Sequence, residues 1–92
     1  MDLEKAREQI DRIDKEMAAL FVRRMKIAEE ISAYKLARGL PVEDRAREAA
    51  ILAARSSEIR EEDLRGFYIR FLQNTLALSK QRQQQLKMNR AQ

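Results

Sequence analysis

Seven polar side chains in this chain have the types and spacing to do chemistry: Arg24, Lys35, Asp44, Arg47, Glu48, Ser79 and Gln83. Apolar residues recur at three- and four-residue steps through Leu3, Ala6, Ile10, Ile13, Met17 and Leu20, then Ile27, Ile31 and Tyr34. The missing member of that series is position 24, which holds an arginine. A guanidinium keeps its charge in any protein, and burying it unpaired costs several kcal/mol. Arg24 therefore turns away from the apolar surface, pairs across an interface with a carboxylate such as Asp14 or Glu16, or meets an anionic ligand. Lys35 falls about 20° around the same helix from Arg24, with Ala28 and Ile31 as an apolar floor between them. Further on, Ser79 and Gln83 interrupt the series Leu72, Leu76 and Leu86, placing a hydroxyl and an amide on an apolar stripe. Both can donate hydrogen bonds while neutral. Asp44, Arg47 and Glu48 cluster within about one helical turn.

Each residue also has a plain structural reading. Lys35 suits a snorkelling surface lysine, and Asp44 a helix cap. Arg47 and Glu48 suit a solvated face, Ser79 a bond back to its own helix, and Gln83 an exposed glutamine. Arg24 is open between an ion pair and a ligand contact. Three separate segments carrying polar groups at apolar-facing positions favour a site. Cations, carboxylates, a hydroxyl and an amide suit holding a small, multiply anionic, hydroxylated molecule and stabilising charge on it, without covalent attack.

The elements that must position these groups are helices. The stripe from Leu3 to Tyr34 meets no breaker until Gly39 and Pro41, a helix stop followed by a short extended link. Asp44 is the expected N-cap of a second helix that runs to about Arg55. Ser56, Ser57 and the polar residues to Glu61 read as a turn. A third helix starts near Glu62, carries Leu64, Phe67, Phe71, Thr75 and Leu78 at helical spacing, and reaches about Met88, beyond which fraying is expected. It can be seated in two registers, with Ser79 and Gln83 or Lys80 and Gln84 inward; the first keeps both residues on the Leu72–Leu76–Leu86 stripe. No strand signal or repeat is present. The first helix, at ~35 residues, spans roughly 50 Å, whereas a compact domain of this size has a radius of gyration of about 12 Å. Two further helices cannot cover such a rod. The expected fold is thus all-α, one domain over residues 1–92, with three helices per chain in an intertwined homodimer.

Composition narrows the function. The chain has 92 residues, no Cys and no His, so thiol and imidazole chemistry, disulfides and a conventional zinc site are excluded. No metal or cofactor is expected. With 45% apolar residues the chain can build a core. Without a signal-peptide apolar segment or a run of membrane-spanning length, a soluble cytoplasmic protein with no membrane partner is expected. The net charge of +4 comes from 19 Lys and Arg against 15 Asp and Glu. The cations mostly alternate with acids, and the basic tail from Lys80 to Arg90 has no aromatic for base stacking, so nucleic acid is not an expected partner.

Several segments are similar to one family over nearly the whole chain: Arg7-Glu8-Gln9-Ile10-Asp11-Arg12-Ile13-Asp14, Arg23-Arg24, Tyr34-Lys35, and Leu40-Pro41-Val42 leading into Asp44-x-x-Arg47-Glu48. The chain resembles the all-helical (type II) class of chorismate mutases. That resemblance implies an intertwined dimer of three-helix chains, and conversion of chorismate to prephenate in phenylalanine and tyrosine biosynthesis without cofactor or covalent intermediate. It further implies that Arg24 grips one substrate carboxylate while Arg7 reaches the other from the partner chain. Lys35 and Gln83 would donate to the ether oxygen, Glu48 would accept the ring hydroxyl with help from Asp44, and Arg47 and Ser79 would complete the carboxylate surroundings. Family members often carry a proline after the link's valine, where this chain reads Glu43-Asp44-Arg45-Ala46, which leaves the link's conformation open. Two rival functions remain: a lyase of the same fold that eliminates pyruvate from isochorismate, and a non-catalytic helical dimer serving as an adaptor.

Overall fold

The computed structural model describes residues 1–91 and contains three helices: α1 (Leu3–Ala37), α2 (Arg45–Ser56) and α3 (Glu62–Ala91). No strand occurs among the described residues. Asp2 caps α1, its carboxylate accepting from the backbone N–H groups of Glu4 and Lys5. Just past its C-cap Arg38 the chain turns at Gly39, whose φ of 66° is a left-handed conformation that glycine adopts without a Cβ clash. The Leu40 N–H then returns to the Lys35 carbonyl and the Gly39 N–H to that of Leu36, satisfying carbonyls the helix leaves open.

Asp44 caps α2 through a 3.0 Å bond from the Arg47 N–H. At the other end of α2, the Ser56 and Ser57 hydroxyls donate to the carbonyls of Ala53 and Ala54. The turn into α3 is tied by Arg65, which donates through Nε and Nη2 to the Ile59 carbonyl. α3 stays helical to Ala91, past the expected fraying point at Met88. Its last turns contain Gln, Leu, Lys and Met, all good helix formers, with neither Gly nor Pro to stop them.

α3 packs against both other helices, whereas the backbones of α1 and α2 stay apart. This leaves a gap between α1 and α2 with α3 as its floor. The molecule measures 54 × 26 × 14 Å, and its radius of gyration of 16.6 Å well exceeds the ~12 Å of a compact domain this size. The buried positions of α1 are Ala28 and Ser32. They are small residues one turn apart, so α3 can approach closely. They flank the long apolar stripe: Ser32 follows Ile31 by one position and so lies about 100° around from it. The stripe itself is uncovered by its own chain, with Ile10 56% and Leu20 57% exposed. Among the described residues, no helix is long and apolar enough to cross a membrane.

Candidate functional site

The gap between α1 and α2 contains a cavity of about 290 Å³. α1 contributes Arg24, Ile31 and Lys35; the link and α2 contribute Val42, Asp44, Arg47, Glu48 and Ile51; α3 contributes Leu76, Ser79, Lys80 and Gln83. Four cations therefore face two carboxylates, which leaves the cavity positive. Ile31, Val42, Ile51 and Leu76 supply apolar walls that lower the local dielectric and strengthen those charges. A neighbouring hollow of 370 Å³ shares Arg24 and Arg47 but is otherwise lined mainly by Ala50, Ile51, Ala54, Tyr68 and Leu72, with Arg55 at its edge. It has no carboxylate and no amide, and its one hydroxyl is the Tyr68 phenol.

Lys35 is tethered. Its Nζ donates to the Val42 carbonyl at 2.9 Å, which anchors the link to the end of α1. An ammonium has three N–H donors, so two remain. Ser79 and Gln83 are both buried, at 9% and 7% exposure. The Gln83 Nε2 donates to the Ser79 Oγ at 3.4 Å, while the Gln83 Oε1 is buried with no partner. Turning the amide over would let the Ser79 hydroxyl donate to the oxygen and leave the N–H₂ as an unpaired donor, the state that suits an acceptor on a ligand.

Arg24 is exposed in the single chain, and no carboxylate among the described residues pairs with it. Asp44 spends one oxygen on the α2 cap. Glu48 is paired: the Lys80 ammonium lies 3.3 Å from its Oε1 and 3.5 Å from that of Glu43. The hydrogen bond to Glu48 raises the Lys80 pKa above its ordinary 10.5, against the opposing effect of desolvation. Glu43 is held below its ordinary 4.5, first by its hydrogen bond with Arg45 and then by the charge of Lys80. Arg45 is almost fully solvated, so that outer pair adds little rigidity.

Seven of the eight residues singled out from sequence thus border one cavity. The eighth, Arg7, is exposed near the start of α1. Its rise to Arg24 is roughly 25 Å at 1.5 Å per residue, so a chain cannot deliver Arg7 to its own cavity. Of the two registers for α3, the structure turns Ser79 and Gln83 inward and leaves Gln84 exposed; Lys80 borders the cavity as well. Its two acidic partners lie on another helix and its link, and no sequence spacing announces that pairing. Ser32 was also missed, although the small pair Ala28-x-x-x-Ser32 was a readable sign of close helix approach. Among the described residues, no group of His, Cys, Asp or Glu is placed to hold a metal ion.

Fold and cavity together define a three-helix protein with a cation-walled chamber between its helices. The family model for chorismate mutase type II matches residues 6–84, and the chain belongs to that family. Comparisons with curated proteins and with solved structures found no match.

Proposed function

We propose that the protein is a chorismate mutase that rearranges chorismate to prephenate, working as a homodimer in which each cavity is completed by Arg7 of the partner chain. The observation that carries this reading is the convergence of Arg24, Lys35 and Gln83, from two different helices, on one apolar-walled cavity. The reaction breaks a carbon–oxygen bond as a carbon–carbon bond forms, through a cyclic transition state in which negative charge grows on the ether oxygen. No nucleophile is required. The enzyme must hold the enolpyruvyl arm folded over the ring and aim fixed donors at that oxygen.

Arg24 offers a planar fork for one substrate carboxylate, and Arg47 adds positive charge beside it. The free N–H groups of Lys35 and the turned amide of Gln83 are the donors to the ether oxygen. Glu48 accepts the ring hydroxyl, with Asp44 beside it at the same helix start. Ser79 orients the amide. The dimer is supported by the uncovered α1 stripe, a 35-residue helix whose apolar side chains its own chain leaves in water.

The direct test is incubation of purified protein with chorismate, followed by detection of prephenate. A protein that stays folded and dimeric yet forms none would overturn the assignment. Parallel incubation with isochorismate, watched for salicylate and pyruvate, separates the mutase from the lyase. Activity toward neither would leave the adaptor reading.

A further inference from the structure

Lys80 differs from Arg24 and Arg47 in having carboxylate partners. From α3 it reaches Glu48, in the first turn of α2, and Glu43, just before the Asp44 cap. One side chain thus grips the start of α2 at two points. The Lys80 and Glu48 side chains are only 32% and 29% exposed, so their contact is better shielded from water and salt than an ordinary surface pair.

The placement matters because of what else Glu48 could reach. Glutamate has three rotatable side-chain bonds, and Glu48 shares its cavity with Arg24 and Arg47. A carboxylate free to swing onto either would cancel charge that a dianionic ligand needs. It would also abandon the position from which it accepts a hydroxyl. Lys80 holds Oε1, leaving Oε2 available. The Lys80 ammonium is charged near neutrality at its ordinary pKa of 10.5, and the Glu48 hydrogen bond moves that pKa further up.

We infer that Lys80 is a positioning residue: it keeps the Glu48 carboxylate aimed at the substrate hydroxyl and off the site's arginines, and so sets substrate affinity. The inference rests on the proposed role of Glu48 and goes beyond it, since it assigns Lys80 a part played through the Glu48 carboxylate.

The test is a double-mutant cycle on purified dimer, with steady-state kinetics on chorismate for wild type, Lys80→Met, Lys80→Arg, Glu48→Gln and the Lys80→Met/Glu48→Gln pair. Lys80→Met should raise KM about tenfold, the scale of one charge-assisted hydrogen bond, with kcat within about twofold of wild type. Lys80→Arg should restore most of the affinity. In the Glu48→Gln background, Lys80→Met should change KM by less than about twofold, because the residue it acts through is gone. An unchanged KM in Lys80→Met, beside a damaged Glu48→Gln, overturns the inference alone. An equal KM rise in both backgrounds also overturns it, because Lys80 then acts independently of Glu48. A Glu48→Gln variant with wild-type kinetics removes the proposed role of Glu48, and the inference falls with it.

Discussion

Ser32 on α1 donates its hydroxyl to the backbone carbonyl of Gln83 on α3 at 3.3 Å, and both residues are nearly fully buried. This bond pins the two long helices together at the residue whose side chain borders the cavity. Ala28, one turn away and 3% exposed, lets the helices close to that distance. The α1–α3 crossing is therefore the frame on which Lys35 and Gln83 are held relative to each other.

Substitutions at that crossing should cost stability. Ser32→Ala removes a buried hydrogen bond, about 1 kcal/mol. Ala28→Leu forces extra volume into a close contact, about 1–3 kcal/mol. Urea unfolding measures both. Wild-type stability in Ala28→Leu would mean the helices do not meet there.

Lys35→Ala should lower kcat by about 10²–10³-fold, the usual effect of removing one preorganised donor from a developing negative charge. Helix content by circular dichroism should stay at the wild-type level, since Lys35 anchors the link and not a helix core. Near-normal turnover would remove Lys35 from the reacting centre.

Gln83→Glu should convert a pH-independent donor into a titrating one. A carboxyl donates only when protonated, so activity should be retained at acidic pH and lost as pH rises through the new group's pKa. Burial of position 83 disfavours the charged form while the cavity's cations favour it, so the pH at which activity is lost reports the balance of the two. If activity instead stays flat with pH, position 83 makes no contact with the ether oxygen.

Arg7 and Arg24 should complement each other between chains. Arg7→Ala and Arg24→Met homodimers should each be strongly impaired. A heterodimer of the two has one cavity with Arg24 intact and Arg7 supplied by the other chain, so mixing the variants with subunit exchange should restore prephenate formation. Mixtures no more active than their components would place Arg7 outside the site.

Much of the architecture was legible because it depends on local chemistry. Gly39, the Asp44 cap and the three- and four-residue apolar steps marked α1, α2 and the start of α3. The end of α3 is the exception: its polar residues read as a fraying tail, yet nothing there breaks a helix and it continues to Ala91. For the cavity, Arg24 stood out as a charge on an apolar row, and Ser79 with Gln83 stood out the same way. Lys80 did not: it lies off the α3 stripe, and its partners are distant in sequence.

By itself, then, the chain of residues determined the helices, their ends except the last, the absence of thiol and imidazole chemistry, and the placing of cations on apolar faces. Those features follow from backbone propensity and from a fixed advance of 100° per residue. Only the tertiary structure decided that α3 rests on Ala28 and Ser32 beside the α1 stripe, that α1 and α2 stay apart around a cavity, and that Lys80 grips Glu43 and Glu48. The rotation and offset of one rigid helix against another arise from many small contacts summed along both, which no local spacing records.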